Sequence, residues 1–175
     1  LKENGLEKNT IVIYTSDQGF YLGEHGWFDK RFIYDQSFKT PLLIKWPSVI
    51  KPGVRNTKMV QNLDFAQTIL EAAGLQAPMD MQGESLIPLF KGKDENFRDA
   101  AYYHYYEYPS VHMVKRHYGI VTEKFKLIHF YHDIDEWELY DREKDKEEMK
   151  NVYNDPAYES IKKELHDKLT ALRIK

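Results

Sequence analysis

Residues 10–19 read TIVIYTSDQG, and this stretch decides the fold. Its first six residues are an unbroken β-branched and apolar run, the pattern of a strand buried on both faces in a parallel sheet covered by helices. The run ends at Thr15. The polar residues Ser16, Asp17 and Gln18 follow it directly, and then Gly19. Ligands of open α/β sheets bind beyond the carboxyl ends of the strands. The sequence therefore predicts an α/β fold with a functional site at this point.

The next residues continue the pattern of an α/β domain. Residues 42–46 form a second apolar run between two prolines and predict another strand. Residues 63–73 carry apolar side chains at helical spacing, with Asn62 or Asp64 as the N-cap and Gly74 as the C-cap. We therefore predict a strand, a functional loop, a second strand and a helix.

The second half of the chain has a different composition, with short aromatic-rich segments that predict an antiparallel meander. These segments are residues 101–108, 117–122, 125–131 and 137–140. An amphipathic helix follows, with Asp155 as its cap and Pro156 at its first position. We divide the chain into residues 1–98, part of an α/β domain, and residues 99–175, a small subdomain with an antiparallel sheet and a C-terminal helix.

Composition excludes several classes of function. The chain has 25 basic and 28 acidic residues, and its formal net charge of -3 comes with no basic stripe, so we expect no nucleic-acid partner. No apolar stretch reaches the roughly 18–20 residues that span a bilayer, so we expect no membrane span. The chain has no cysteine, which excludes disulfides, thiolate metal sites and a cysteine nucleophile within these residues.

The loop after the first strand carries the residues best suited to chemistry. A carboxylate beside an amide oxygen gives Asp17 and Gln18 two hard oxygen donors, which suit Ca²⁺ or Mg²⁺, although Asp17 alternatively only starts a turn. The loop can fold back so that the ammonium of Lys30 lies near Asp17 and Gln18 and complements an anion there. Alternatively, Lys30 is a solvated surface group. His25 is a general acid or an anion contact, or it only hydrogen-bonds the loop to itself.

Several motifs at characteristic spacings resemble the C-terminal half of a type I sulfatase, a family of the alkaline phosphatase superfamily. They are TSDQG at 15–19, LGEHG at 22–26, Lys30, TPLLI at 40–44, NLDFAQTIL at 62–70, QGESL at 82–86 and WELYD at 137–141. The resemblance runs along nearly the whole chain. The aromatic segment near residue 105 is similar to bacterial sulfatases that act on glycosaminoglycan or mucin sugars.

The resemblance implies a fold, a reaction and roles for named residues. It implies part of a mixed sheet with helices, followed by a small antiparallel sheet and a terminal helix. It assigns Asp17 and Gln18 to Ca²⁺ and Lys30 to the sulfate group, with His25 as a second catalytic candidate. The implied reaction is hydrolysis of sulfate esters on sulfated carbohydrates, and the implied location is periplasmic or secreted.

The sequence also departs from the family pattern. The nucleophile of the family is a formylglycine made from Cys or Ser in a C/S-x-P-S-R motif, and these residues contain no such motif. We therefore expect the chain to be a C-terminal fragment that is inactive alone. Two oxygen donors do not enclose a cation that prefers six to eight, so we also expect weak Ca²⁺ binding. A homo-oligomer or a companion N-terminal portion is the expected partner.

Substrate choice is expected to come from the small subdomain. The candidates for sugar or sulfate contact are His104, His112, Arg116 and His117. Tyr106 and Tyr108 can stack on a sugar ring, or they only pack within the sheet. For His112 and Arg116, plain solvation is the alternative. Two other functions stay open, a phosphonate or phosphate ester hydrolase of the same superfamily and a non-catalytic carbohydrate-binding or structural module.

Overall fold

A computed structural model describes residues 1–173 of the chain. The chain forms two compact units, the first made of Leu1–Asp17 and Thr40–Arg98, and the second of Gln18–Lys39 and the residues from Asp99 onward. The division of the chain into residues 1–98 and 99–175 stays a prediction. Within the described residues, no helix has the length and apolar character needed to cross a membrane.

The helices and strands are few and mostly short. In chain order they are β1 (Val12–Thr15), β2 (Tyr21–Leu22), β3 (Phe28–Asp29), α1 (Asp35–Phe38), β4 (Leu42–Lys45), α2 (Asp64–Ala72), α3 (Ile87–Phe90), β5 (Ala100–Tyr105), β6 (His117–Thr122), β7 (Phe125–Phe130), β8 (Glu136–Asp141) and α4 (Glu159–Arg173). The predicted mixed α/β architecture with a terminal helix is confirmed.

The first unit contains an antiparallel pair of strands. β1 pairs with β4, and Val12 lies opposite Lys45 while Thr15 lies opposite Leu42. The prediction of a parallel-sheet strand buried on both faces is wrong for this pair, because its residues alternate between exposed and half-buried. Apolar continuity alone does not distinguish parallel from antiparallel pairing.

Helix α2 begins differently from the sequence prediction. Leu63 is the N-cap residue and has no capping side chain, so neither Asn62 nor Asp64 caps the helix. Asp64 is instead fully buried, accepts the backbone N–H of Glu84 at 2.9 Å and pairs with Arg98 at 2.5 Å. The predicted end is confirmed, since Gly74 has the positive φ of 75° that favours glycine.

The second unit is built on the predicted meander, in which β5, β6, β7 and β8 are neighbours in that order and all pairs are antiparallel. One face of this sheet packs on α4. That core contains Tyr118, Ile120, Leu127, Leu139, Leu165 and Leu169. The side chain of Asp155 accepts the N–H of Ala157, and Pro156 starts the short 3-10 turn that leads into α4, as predicted.

The other face of the sheet packs on the segment Gln18–Lys39. Phe32 stacks on His117 with ring centroids 5.5 Å apart, and the Tyr34 hydroxyl donates to Glu138 at 2.7 Å. Ile33, which lies between them in the sequence, is completely buried. This packing holds the loop that contains Lys30 against the small antiparallel sheet.

Candidate functional site

The residues predicted to hold a metal lie at the end of β1. Asp17 is exposed, and its backbone carbonyl accepts a hydrogen bond from the side-chain amide of Asn62 at 2.8 Å. Gln18, half-buried, is the first residue of the second unit. Asp17 carries a carboxylate and Gln18 an amide oxygen, and each is a donor type that suits a hard cation. No cluster of three or more His, Asp or Glu side chains that could hold a metal occurs among residues 1–173.

The glycines of the loop allow its backbone to fold back as a hairpin. β2 and β3 pair as a short hairpin, and Gly23 and Gly26 have φ values of 130° and 72° that favour residues without a Cβ atom. Between them, His25 also has a positive φ of 54°. Its ring stacks on Tyr34 with centroids 4.6 Å apart, and its Nε2 atom is buried with no hydrogen-bond partner in the described part of the chain.

Lys30 is the central residue of a strained tripeptide. Its neighbours Asp29 and Arg31 have φ values of 148° and 100°, although both carry Cβ atoms. Such conformations persist only where surrounding contacts enforce them, and they concentrate at functional sites. The side chain of Lys30 is half-buried, and no ion pair engages it within residues 1–173.

Asp29, Arg31 and His112 form a closed ring of contacts. One oxygen of Asp29 pairs with Nη1 of Arg31 at 2.6 Å, and the other lies 3.0 Å from Nδ1 of His112. Nε2 of His112 lies 2.7 Å from Nη2 of Arg31. Because arginine only donates, Nε2 accepts and Nδ1 carries the proton donated to Asp29. We call these three side chains the Asp29 cluster.

The Asp29 cluster is polar and partly open to solvent. Side-chain exposure is 30% for Asp29, 19% for Arg31 and 31% for His112. Burial by itself raises the pKa of Asp29, yet Arg31, a backbone hydrogen bond from Lys30 and His112 together hold that pKa below its usual range. The cluster therefore presents a fixed carboxylate and fixed N–H donors beside Lys30, a combination that can hydrogen-bond neutral hydroxyl groups.

The other predicted substrate contacts lie in different surroundings. Arg116 is half-buried, and its Nε donates to the backbone carbonyl of Tyr106 at 3.0 Å. His117 is completely buried against aromatic rings, including those of Tyr105 and Phe130, and burial lowers its pKa to about 4. Its role in substrate binding stays a prediction.

His104 lies on the opposite face of the meander from the Asp29 cluster. It shares the α4 face with Tyr118, whereas Tyr103, the preceding residue on the strand, donates from its hydroxyl to the Arg31 carbonyl at 2.5 Å. His104 stacks on Tyr106 with centroids 3.7 Å apart, and burial lowers its pKa. The structure thus brings His112 together with the loop but does not bring His104 to it.

Asp29 and Arg31 were absent from the sequence-based candidates. The signal available was their position on both sides of Lys30 in a loop already chosen for its chemistry. What the sequence did not show is that His112, 83 positions from Asp29, completes the cluster. That contact depends on how the loop docks on the sheet.

Comparison with known proteins identifies the family. The family described as N-sulphoglucosamine sulphohydrolase, C-terminal, matches residues 23–175. An N-acetylglucosamine-6-O-sulfatase of Bacteroides thetaiotaomicron is 53% identical over 168 residues, which cover 94% of this chain and 30% of that protein.

Similar solved structures point to the same family. One described as a complex with its substrate D-glucosamine-2-N,6-O-disulfate is 51% identical, with a TM-score of 0.95 over 99% of this chain and 36% of that one. The phosphonate monoester hydrolase of Agrobacterium radiobacter is 28% identical, with a TM-score of 0.84 over 99% of this chain and 37% of that one. The chain spans about a third of the length of these relatives. By its sequence and its fold, this chain belongs to the sulfatase family, whose C-terminal region it matches.

Proposed function

We propose that the protein containing this chain is a sulfatase that hydrolyses sulfate esters of glucosamine in glycosaminoglycan- or mucin-type glycans. The observation that carries the proposal is the placement of Lys30 between the two loop residues of the Asp29 cluster. A lysine ammonium stabilises negative charge on a sulfate group, and the adjacent cluster can hydrogen-bond the sugar that carries it. The names of the relatives support glucosamine 6-sulfate as the substrate class.

Lys30, the Asp29 cluster and His25 have proposed roles. Lys30 binds the sulfate, and the Asp29 cluster, which includes His112, orients the sugar by hydrogen bonds to its hydroxyl groups. His25 is the second catalytic candidate, with its ring fixed against Tyr34. His104, Arg116 and His117 stay predictions as further contacts with the substrate.

The proposal includes a Ca²⁺ ion and a formylglycine. The oxygen donors of Asp17 and Gln18 fit Ca²⁺ in kind but not in number, so an N-terminal portion is needed to complete the site and to supply the formylglycine. When bound, the ion supplies Lewis-acid stabilisation of negative charge on the sulfate oxygens. A periplasmic or secreted location, and a companion N-terminal portion or a homo-oligomer, belong to the same proposal.

A second candidate is phosphonate or phosphate ester hydrolysis. It is favoured by the TM-score of 0.84 with the phosphonate monoester hydrolase of Agrobacterium radiobacter. The two reactions place the same demands on a lysine and a metal, since both develop charge on non-bridging oxygens. The sugar-binding Asp29 cluster is the feature that favours the sulfatase.

The test compares substrates on the longer protein that contains this chain. N-acetylglucosamine 6-sulfate, glucosamine 3-sulfate, an aryl sulfate and an aryl phosphonate are supplied separately, and the released sulfate or phosphonate is quantified. We expect the highest kcat/KM on N-acetylglucosamine 6-sulfate. A higher value on the phosphonate contradicts the proposal in favour of the second candidate, and glycan binding without any turnover favours a non-catalytic module.

A further inference from the structure

Ser37 joins the two ends of the loop that contains Lys30. It lies in α1 and is 1% exposed. Its hydroxyl accepts the backbone N–H of Arg31 at 2.9 Å, and its carbonyl accepts the backbone N–H of Gly19 at 2.8 Å. A Cβ atom on Gly19 would meet the carbonyl oxygen of Gln36 at 2.1 Å, so this close approach requires glycine. A single buried residue thus fixes where the loop starts and where it ends.

The backbone of Arg31 is held on both sides. Ser37 accepts its N–H, and the hydroxyl of Tyr103 on β5 donates to its carbonyl at 2.5 Å. The φ of 100° at Arg31 is unfavourable for a residue with a Cβ atom and needs such restraint. Without these two hydrogen bonds, the peptide is expected to relax toward negative φ.

Helix α1 is itself anchored to the sheet by a buried ionic network. The carboxylate of Asp35 contacts Nζ of Lys126 at 2.8 Å and Nη2 of Arg142 at 2.8 Å, and its backbone N–H donates to Glu148 at 2.8 Å. Lys126 and Glu148 are 0% and 1% exposed and form an ion pair of 2.5 Å with each other. Ser37 therefore lies on a helix that this network holds in place, so its position can determine the position of the loop.

We propose that Ser37 and Tyr103 are positioning residues, which set the conformation at Arg31 and so hold the Asp29 cluster in the geometry that binds the sugar. Neither side chain needs to touch the substrate for this role. The proposal rests on the proposed sulfatase function, because it names the supports of that same site. It predicts an effect on substrates that reach the Asp29 cluster and little effect on substrates that do not.

The test uses Ser37→Ala and Tyr103→Phe in the longer protein that contains this chain. For each variant, kcat and KM are measured on N-acetylglucosamine 6-sulfate and on a small aryl sulfate that has no sugar. We expect KM for the sugar sulfate to rise about 10- to 100-fold, the scale on which small misplacements act, with less than about a twofold change for the aryl sulfate. A general loss of stability would instead impair both substrates alike.

Matched controls remove similar hydrogen bonds elsewhere. The buried hydroxyl of Thr68 also accepts a backbone N–H, that of Leu86 at 2.9 Å, and Tyr158 also donates from its hydroxyl, to Asp141 at 2.8 Å. Thr68→Ala and Tyr158→Phe are expected to lower the melting temperature without changing KM for the sugar sulfate. Amide exchange at Arg31 should quicken at least about tenfold in Ser37→Ala but not in Thr68→Ala.

The outcomes separate the two proposals. A parent protein that releases no sulfate from either substrate contradicts the proposed function. An active parent whose folded Ser37→Ala and Tyr103→Phe variants keep KM for the sugar sulfate within twofold overturns the positioning role. Equal losses on both substrates, accompanied by a lower melting temperature, also overturn it in favour of a purely structural role.

Discussion

Nδ1 of His112 lies 3.0 Å from Oδ2 of Asp29, although 83 positions separate the two residues. Both also contact Arg31, so a strained loop and a connection of the small antiparallel sheet share one polar cluster beside Lys30. The small sheet thereby contributes directly to the proposed sugar site rather than only covering it.

Removing the charge of Asp29 tests the role of the cluster. Asp29→Asn keeps the size of the side chain but weakens its contacts with Arg31 and His112, so we expect kcat/KM for N-acetylglucosamine 6-sulfate to fall roughly 10- to 100-fold. Steady-state kinetics measures the change. Asp167→Asn is the control, because Asp167 is an exposed residue of α4 that pairs with the exposed Lys163. Unchanged kinetics in Asp29→Asn would show that the cluster takes no part in substrate binding.

The buried network beneath α1 makes a prediction about stability. Lys126→Met leaves the buried Glu148 and the half-buried Asp35 without their ammonium partner, and losing one member of a buried ion pair such as Lys126–Glu148 costs about 3–5 kcal/mol. Denaturant unfolding measures the free energy of unfolding. Lys163→Met removes an exposed lysine from α4 and should change it by less than about 0.5 kcal/mol. Equal effects of the two substitutions would contradict the importance of the network.

Acid sensitivity should come in part from His117. Burial lowers its pKa from 6.5 to about 4, so the folded state keeps it neutral while the unfolded state takes up a proton below pH 6.5. The unfolded state binds more protons between these values, so stability falls as pH decreases from about 6.5 to 4, by roughly 3 kcal/mol in total. Unfolding free energies of His117→Phe measured across this range should show a shallower slope.

The exposed His132 provides the comparison for that experiment, with a side-chain exposure of 63%. His132→Gln should leave the pH dependence of the unfolding free energy unchanged. A parental slope that persists in His117→Phe would show that other groups cause the acid sensitivity.

Particular residues show how far the sequence could predict this molecule. The meander and α4 were predictable, because alternating aromatic segments and a helical apolar stripe are local patterns. The burial of His117 was not, because it depends on a second layer, Gln18–Lys39, packing on a sheet face that local alternation cannot identify as covered. The grouping of Asp29 and Arg31 with His112 was missed because it depends on how the loop docks on the sheet, and positive φ at residues with Cβ atoms has no signature in the sequence.

The proposed metal ligands can be tested by metal content. In the longer protein, Asp17→Ala removes one of the two oxygen donors assigned to Ca²⁺ in this chain, and we expect bound Ca²⁺ to fall below half of the parental stoichiometry, with loss of turnover. Plasma emission spectrometry after dialysis measures the ion. Asp80→Ala changes an exposed aspartate of the same unit and should keep the full complement. Parental Ca²⁺ content in Asp17→Ala would contradict the assignment.

The most direct test of the central claim is sulfate release from N-acetylglucosamine 6-sulfate by the Lys30→Met variant of the longer protein. Methionine preserves much of the side-chain length but removes the ammonium that is proposed to contact the sulfate. Loss of such an electrostatic contact is expected to lower kcat by about 10²-fold or more, while the melting temperature stays close to that of the parent. Turnover equal to the parental value in a folded Lys30→Met protein would contradict the account.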